Sequence, residues 1–174
     1  IRAGDLSRLA LPVARRLIRR LIQETKGDLN RIELAHVEGI LRLAGAKPGR
    51  GRVVIPGMLV SRSFDWLRFH LPQPCPREYR MPLPVPGSVL LPGGEFVVKS
   101  CLSPGDEAED GLDWERIPCP LEIRNWQAGD SYRPAGGSKH LKIKELFHKN
   151  RVPEWERAAW PVLVSGAAIV WVRG

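Results

Sequence analysis

The chain has 174 residues, 43% of them hydrophobic and 26% charged, with a formal net charge of +8 and an isoelectric point near 9.9. These proportions argue against intrinsic disorder and describe a globular chain long enough for one large domain or two small ones. No run of about 18 apolar residues occurs, which excludes a membrane-spanning helix.

Three cysteines, Cys75, Cys101 and Cys119, stand 26 and 18 residues apart. That spacing matches no zinc site, so idle thiols in a reducing cytoplasm are expected. No secretory signal opens the chain. It begins at Ile1, close to a helical pattern, and reads as a piece of a longer protein. Basic charge is unevenly spread. Residues 1–70 hold 14 Lys+Arg and 6 Asp+Glu, 71–120 hold 4 and 8, and 121–174 hold 9 and 5, for nets of +8, −4 and +4. Two basic blocks around an acidic stretch suit a long polyanion better than a small acidic metabolite.

In chain order, residues 6–25 carry Leu6, Leu9, Val13, Leu17, Leu21 and Ile22 at helical spacing, with Arg15, Arg16, Arg19 and Arg20 on much of the remaining surface. Gly27 is the expected C-cap and Asp28 the cap of a second helix reaching Ala44, with Ile32, Val37, Ile40, Leu41 and Leu43 as its apolar stripe. The pair predicts a helical hairpin. A β-hairpin follows, 53–55 and 59–62 around Pro56-Gly57. Residues 71–87 contain Pro72, Pro74, Pro76, Pro82, Pro84 and Pro86, which excludes a central strand and predicts a connector or sheet edge. Gly93-Gly94 predicts a turn into a strand over 95–100, and 103–113 an exposed loop and domain boundary. The last domain begins near Ile117. It is expected to hold a half-buried strand at 121–124 and a helix over 141–150 with Leu141, Leu146 and Phe147 inward. A helical turn after Pro153 and two closing strands, 162–165 and 168–172, complete it.

No catalytic constellation stands out. The sequence lacks G-x-x-x-x-G-K-[ST], G-x-G-x-x-G after a strand, and H-E-x-x-H. His36 and Glu38 lie two apart on a predicted helix and face different directions. The densest signal lies in 121–174. Gly129-Asp130 predicts a turn projecting Arg133 beside Tyr132, and Gly136-Gly137 a loop that another molecule can approach closely. Lys139, Lys142 and Lys144 bring positive charge to a helix start, and Arg124, on the solvent side of its strand, offers a bidentate fork to phosphate. A solvated basic face is the alternative.

The run R-x-W-x-x-G-D-x-Y-x-P over 124–134 continues into Gly137-Ser138-Lys139-His140-Leu141-Lys142, then Val152-Pro153 and Trp160-Pro161-Val162-Leu163-Val164. It resembles the C-terminal domain of the tRNA(Ile)-lysidine synthetases. Upstream, His36-Val37-Glu38-Gly39-Ile40-Leu41 and Gly51-Arg52-Val53-Val54-Ile55-Pro56-Gly57 resemble the middle domain of those enzymes. Two departures stand out: His148-Lys149-Asn150-Arg151 replaces a more basic run, and Ala135-Gly136-Gly137-Ser138 alters the loop before Lys139.

The resemblance implies a ligase that uses ATP to join lysine to C2 of the wobble cytidine of a CAU-anticodon tRNA(Ile). The cytidine is adenylated and then attacked by the lysine amine, switching codon reading from AUG to AUA. ATP, with magnesium, belongs to an N-terminal PP-loop domain marked by S-G-G-x-D-S, a motif these residues lack. The chain is therefore expected to be a cytoplasmic tRNA-gripping portion with no catalytic or metal residue of its own. Expected tRNA contacts are Arg124, Arg133, Lys139, Lys142 and Lys144, with Lys149 and Arg151 secondary, and Arg15, Arg16, Arg19 and Arg20 as a second patch. The competing reading is a non-catalytic interaction or dimerisation module, a possible homodimer, with Trp126, Trp155, Trp160 and Trp171 as anchors. A complete small enzyme is the third. The expected fold is α+β: a helical hairpin with a small β region over 1–70, a connector with β-strands over 71–116, and a compact α/β domain with antiparallel strands over 117–174.

Overall fold

The computed structural model describes residues 1–72, 78–92, 96–103, 111–117, 120–134 and 136–173. They fall into two units, Ile1–Pro74 and Cys75–Gly174.

The first unit starts with α1 (Ala3–Arg8), α2 (Leu11–Lys26) and α3 (Leu34–Gly45). The single helix expected over 6–25 is two. Pro12 sits in the first turn of α2, where it has no N–H to continue the ladder of α1. The break changes the buried phase. Ala14, Ile18 and Ile22 are buried at four-residue spacing, whereas Leu9 and Val13, expected inward, are exposed. Gly27 caps α2 as expected, at φ 95°, its N–H donating to the Gln23 carbonyl at 2.9 Å. The start of α3 differs from expectation. Glu33 is its N-cap, in a reciprocal box with His36, and the Glu33 N–H donates to His36 Nδ1 at 3.0 Å. Asp28, expected there, instead accepts from Lys26 Nζ and the Asn30 N–H, each at 2.7 Å.

An antiparallel sheet follows, ordered β1 (Gly49–Ile55), β2 (Met58–Phe64) and β3 (Trp66–His70), one strand more than the expected hairpin. Ile55, Met58, Val60 and Leu67 pack with α2 and α3 into one core. Arg62, 6% exposed, points the same way. Its guanidinium donates to the carbonyls of Leu43, Ala44 and Ala46 at 2.5, 2.9 and 2.8 Å and to that of Phe64 at 3.1 Å. It thereby satisfies acceptors that the end of α3 would leave orphaned.

The second unit contains β4 (Arg80–Pro82), β5 (Gly87–Leu90), β6 (Val97–Ser100), a 3₁₀ turn (Trp114–Arg116), β7 (Leu121–Asn125), β8 (Ser131–Tyr132), β9 (Leu141–Lys142), α4 (Ile143–Lys149), α5 (Glu154–Arg157), β10 (Pro161–Ser165) and β11 (Ala168–Val172). Its main sheet is antiparallel, in the order β11-β10-β7-β4. Proline confines β4 to an edge, as expected. The stretch expected as a connector does more than connect, because Tyr79, Leu83 and Leu91 share a core with Leu121, Ile123 and Leu163. The expected Gly93-Gly94 turn, and most of the 103–113 loop, lie outside the described residues.

All five residues of β10 are buried. Leu163 belongs to that core, while Val162 and Val164 belong to a second cluster with Ile143, Phe147, Val152 and Trp160. A strand covered on both faces reads as a continuous apolar run, which accounts for 160–164. Leu141, expected inward on a helix, is exposed on β9, and Ile143 and Phe147 form the inner face of α4. The fold is α+β.

Candidate nucleic-acid interface

The region around 124–134 is first a folding device. Arg124 alternates with Ile123 on β7, but the face it joins is not open to solvent. Its cross-strand partner is Val162, which is fully buried. The guanidinium fork grips Asp130 at 2.7 and 2.9 Å and donates to the Asn125 carbonyl at 2.9 Å. Both side chains of the pair are 13% exposed. Arg124, expected as a phosphate ligand, thus has its fork occupied, because β7 is covered on the face that alternation assigned to water.

Asp130 organises the turn. Its carboxylate accepts the Gln127 N–H at 2.7 Å, its carbonyl accepts the Ile143 N–H at 3.1 Å, and Gly129 takes the left-handed φ of 102° that the turn requires. Burial alone would raise the Asp130 carboxyl. The Arg124 and Gln127 hydrogen bonds and the Arg124 charge outweigh it and hold the group below the ordinary carboxylate range. Asn125, also buried, accepts the Tyr79 N–H at 3.1 Å and donates to the Ala158 carbonyl at 3.2 Å. Trp126 and Trp160 stack edge-on against Phe147, with centroids 5.0 and 5.5 Å away. These two tryptophans serve the core and are not free anchors, whereas Trp171 is 36% exposed.

The remaining cations behave differently. β8 pairs with β9 in the register Ser131↔Lys142 and Tyr132↔Leu141, so Arg133 leaves the ribbon at the end where Lys139 and His140 arrive. Arg133, Lys139, Lys142, Lys144 and Lys149 are all exposed, and none has an ion-pair partner among the described residues. Lys144, His148 and Arg151 recur at i, i+4 and i+7 along α4 and its end. Arg151 adopts φ 49° just past the helix. Its N–H donates to the His148 carbonyl, and that of Val152 to Phe147, which closes α4 in a Schellman arrangement. The expected phosphate seat at the start of α4 is not open at its first N–H, which the Asp130 carbonyl takes.

On α2, the four arginines divide. Arg15 pairs with Glu38 and Arg20 with Glu24, each at 2.7 Å, while Arg16 and Arg19 are exposed without an ion-pair partner among the described residues. His36 serves the α3 cap and Glu38 binds Arg15, so they form no site together.

Residues 121–174 match the family described as the TilS substrate C-terminal domain. The tRNA(Ile)-lysidine synthase of Solibacter usitatus is 46% identical over 99% of this chain. The chain belongs to the tRNA(Ile)-lysidine synthase family. That of Geobacter sulfurreducens is 34% identical over 92% of the chain. The chain spans 42% and 36% of the lengths of these two relatives. A crystal structure of a TILS C-terminal domain is 30% identical, with 56% of this chain and 80% of that one covered at a TM-score of 0.46. Among the described residues, no group of three His, Cys, Asp or Glu could hold a metal ion, and no helix is long and apolar enough to cross a membrane.

Sequence reading missed the Arg124–Asp130 pair, whose only signal was six-residue spacing across a glycine turn.

Proposed function

We propose that this chain is a tRNA-gripping portion of a tRNA(Ile)-lysidine synthase, whose full-length form uses ATP to ligate lysine to C2 of the wobble cytidine of CAU-anticodon tRNA(Ile). The observation that carries this reading is the contrast between cations. Arg124 is consumed by Asp130, while Arg133, Lys139, Lys142, Lys144 and Lys149 stand exposed with no carboxylate neutralising them among the described residues. Unpaired cations on one small ribbon and helix favour phosphate contacts that position a nucleic acid without reading its sequence. Arg16 and Arg19 offer a second contact, and Arg151 supports the first. ATP, magnesium and free lysine belong to the remainder of the enzyme.

The test is binding of this chain to CAU-anticodon tRNA(Ile) and to tRNA(Met) across a salt titration. Neutralising about five phosphates gives a log–log salt slope of roughly −3 to −5. Lys142→Ser with Lys144→Ser reduces its magnitude by about 2 and weakens binding to both tRNAs. Salt-insensitive binding, or none, removes the reading.

A further inference from the structure

The corner between α1 and α2 turns a continuous apolar run to solvent. Residues 9–13 read Leu-Ala-Leu-Pro-Val, and all five are exposed, Leu9 by 38%, Leu11 by 49% and Val13 by 53%. The corner is held in place. Ala10 caps α2, and its carbonyl accepts the N–H groups of Val13 and Ala14 at 2.9 and 3.0 Å. The Leu9 N–H donates to the Leu6 carbonyl at 3.4 Å. Leu6 and Ala14, on either side of the run, are buried and anchor it to the core of the first unit.

Single exposed apolar residues are ordinary, but five in succession on a fixed backbone mark a contact surface. Their side chains carry no hydrogen-bond donor and no charge, so they offer nothing to phosphate, and nucleic acid does not suit the corner. Arg8 stands beside the run, exposed and without an ion-pair partner among the described residues. Three large apolar side chains are a small patch for joining two free molecules, which takes about 1,000 Å². They suffice for a neighbour on the same polypeptide, whose tether supplies an effective concentration in the millimolar range. Such a neighbour is called for, because this chain spans 42% and 36% of the two relatives above and more than half of each lies outside it.

We propose that the α1–α2 corner is the docking point for the part of the parent polypeptide that lies outside this chain. Leu9, Leu11 and Val13 enter an apolar hollow on that neighbour, and a carboxylate at its edge meets Arg8. The proposal rests on the reading above of this chain as a portion of a longer synthase. Docking here holds the neighbour against the first unit, where a bare linker would let it move freely.

The experiment uses the full-length natural protein. Its intact mass is read first: 19.5 kDa, the mass of this chain alone, fails the portion reading and the proposal with it. In a longer protein, the photo-crosslinking residue p-benzoylphenylalanine replaces Leu11. Irradiation should give a monomer cross-linked to a residue outside 1–174. A cross-link within 1–174, one joining two copies, or none at all overturns the proposal and leaves the portion reading standing. Leu11→Ser with Val13→Ser, checked by circular dichroism for folding, gives a second readout. In this chain by itself the melting midpoint should move by less than about 2 °C, as at other exposed positions. In the full-length protein it should fall by roughly 5 °C, because two apolar side chains lose their cover. Equal shifts in the two also overturn the proposal.

Discussion

Replacing Asp130 with alanine separates a folding motif from a binding one. The carboxylate accepts hydrogen bonds at 2.7, 2.9 and 2.7 Å from Arg124 and the Gln127 N–H, and the two side chains are 13% exposed. Asp130→Ala leaves the Arg124 guanidinium part-buried with the Asn125 carbonyl as its remaining acceptor. Breaking a buried pair from one side costs about 3–5 kcal/mol. Residual solvent access places this one near the lower end. For a unit of Cys75–Gly174, a loss of about 3 kcal/mol lowers the melting midpoint by roughly 12–24 °C. Thermal denaturation of Asp130→Ala, Arg124→Ala and the double variant gives the coupling energy, expected at about 1.5–3 kcal/mol. The folded-state pKa of Asp130 lies below its unfolded value. Its stabilisation is therefore full above about pH 5, and is lost as pH falls through about 4 toward the depressed value. Coupling below about 0.5 kcal/mol would refute the latch. An Arg124→Ala chain with an unchanged midpoint but a shallower tRNA salt slope would return Arg124 to the phosphates.

Arg62→Met should cost about 3–5 kcal/mol, because the α3 carbonyls lose a buried charged donor; hydrogen exchange should report the loss in α3 and β2 and spare β7 and β10. Ser165→Ala should stabilise the second unit by about 1 kcal/mol in denaturant titration, since the buried Ser165 hydroxyl has no partner among the described residues. Burial pushes the Tyr79 phenol up to about 12, and its hydroxyl donates to the Ala159 carbonyl at 3.0 Å. Its unfolded value is about 10, so stability should fall as pH rises from about 10 to 12, and Tyr79→Phe should remove that part of the alkaline loss.

The local grammar of this chain was legible where one residue type has one physical use. Gly27 ends α2 because only a left-handed residue closes it there, and proline put β4 at an edge. The apolar run 160–164 marked a strand, but its burial on both faces required α4 on one side and the Tyr79, Leu83 and Leu91 core on the other. Periodicity misplaced Leu9 and Val13 because Pro12 restarts the helix and resets which face turns inward.

The sequence by itself determined the basic blocks, the principal secondary elements, the α+β class and the ordered motif of 124–164, since composition, caps and period are local properties. Only the tertiary structure decided which cations are available. Arg124 and Arg15 are held by Asp130 and Glu38, and Arg62 by backbone carbonyls, while Arg133, Lys139, Lys142, Lys144 and Lys149 are left to solvent. Charge is written residue by residue, but its neutralisation depends on which partner the fold brings within hydrogen-bonding distance, and for Arg124 and Arg15 that partner lies beyond the reach of any helical or strand period.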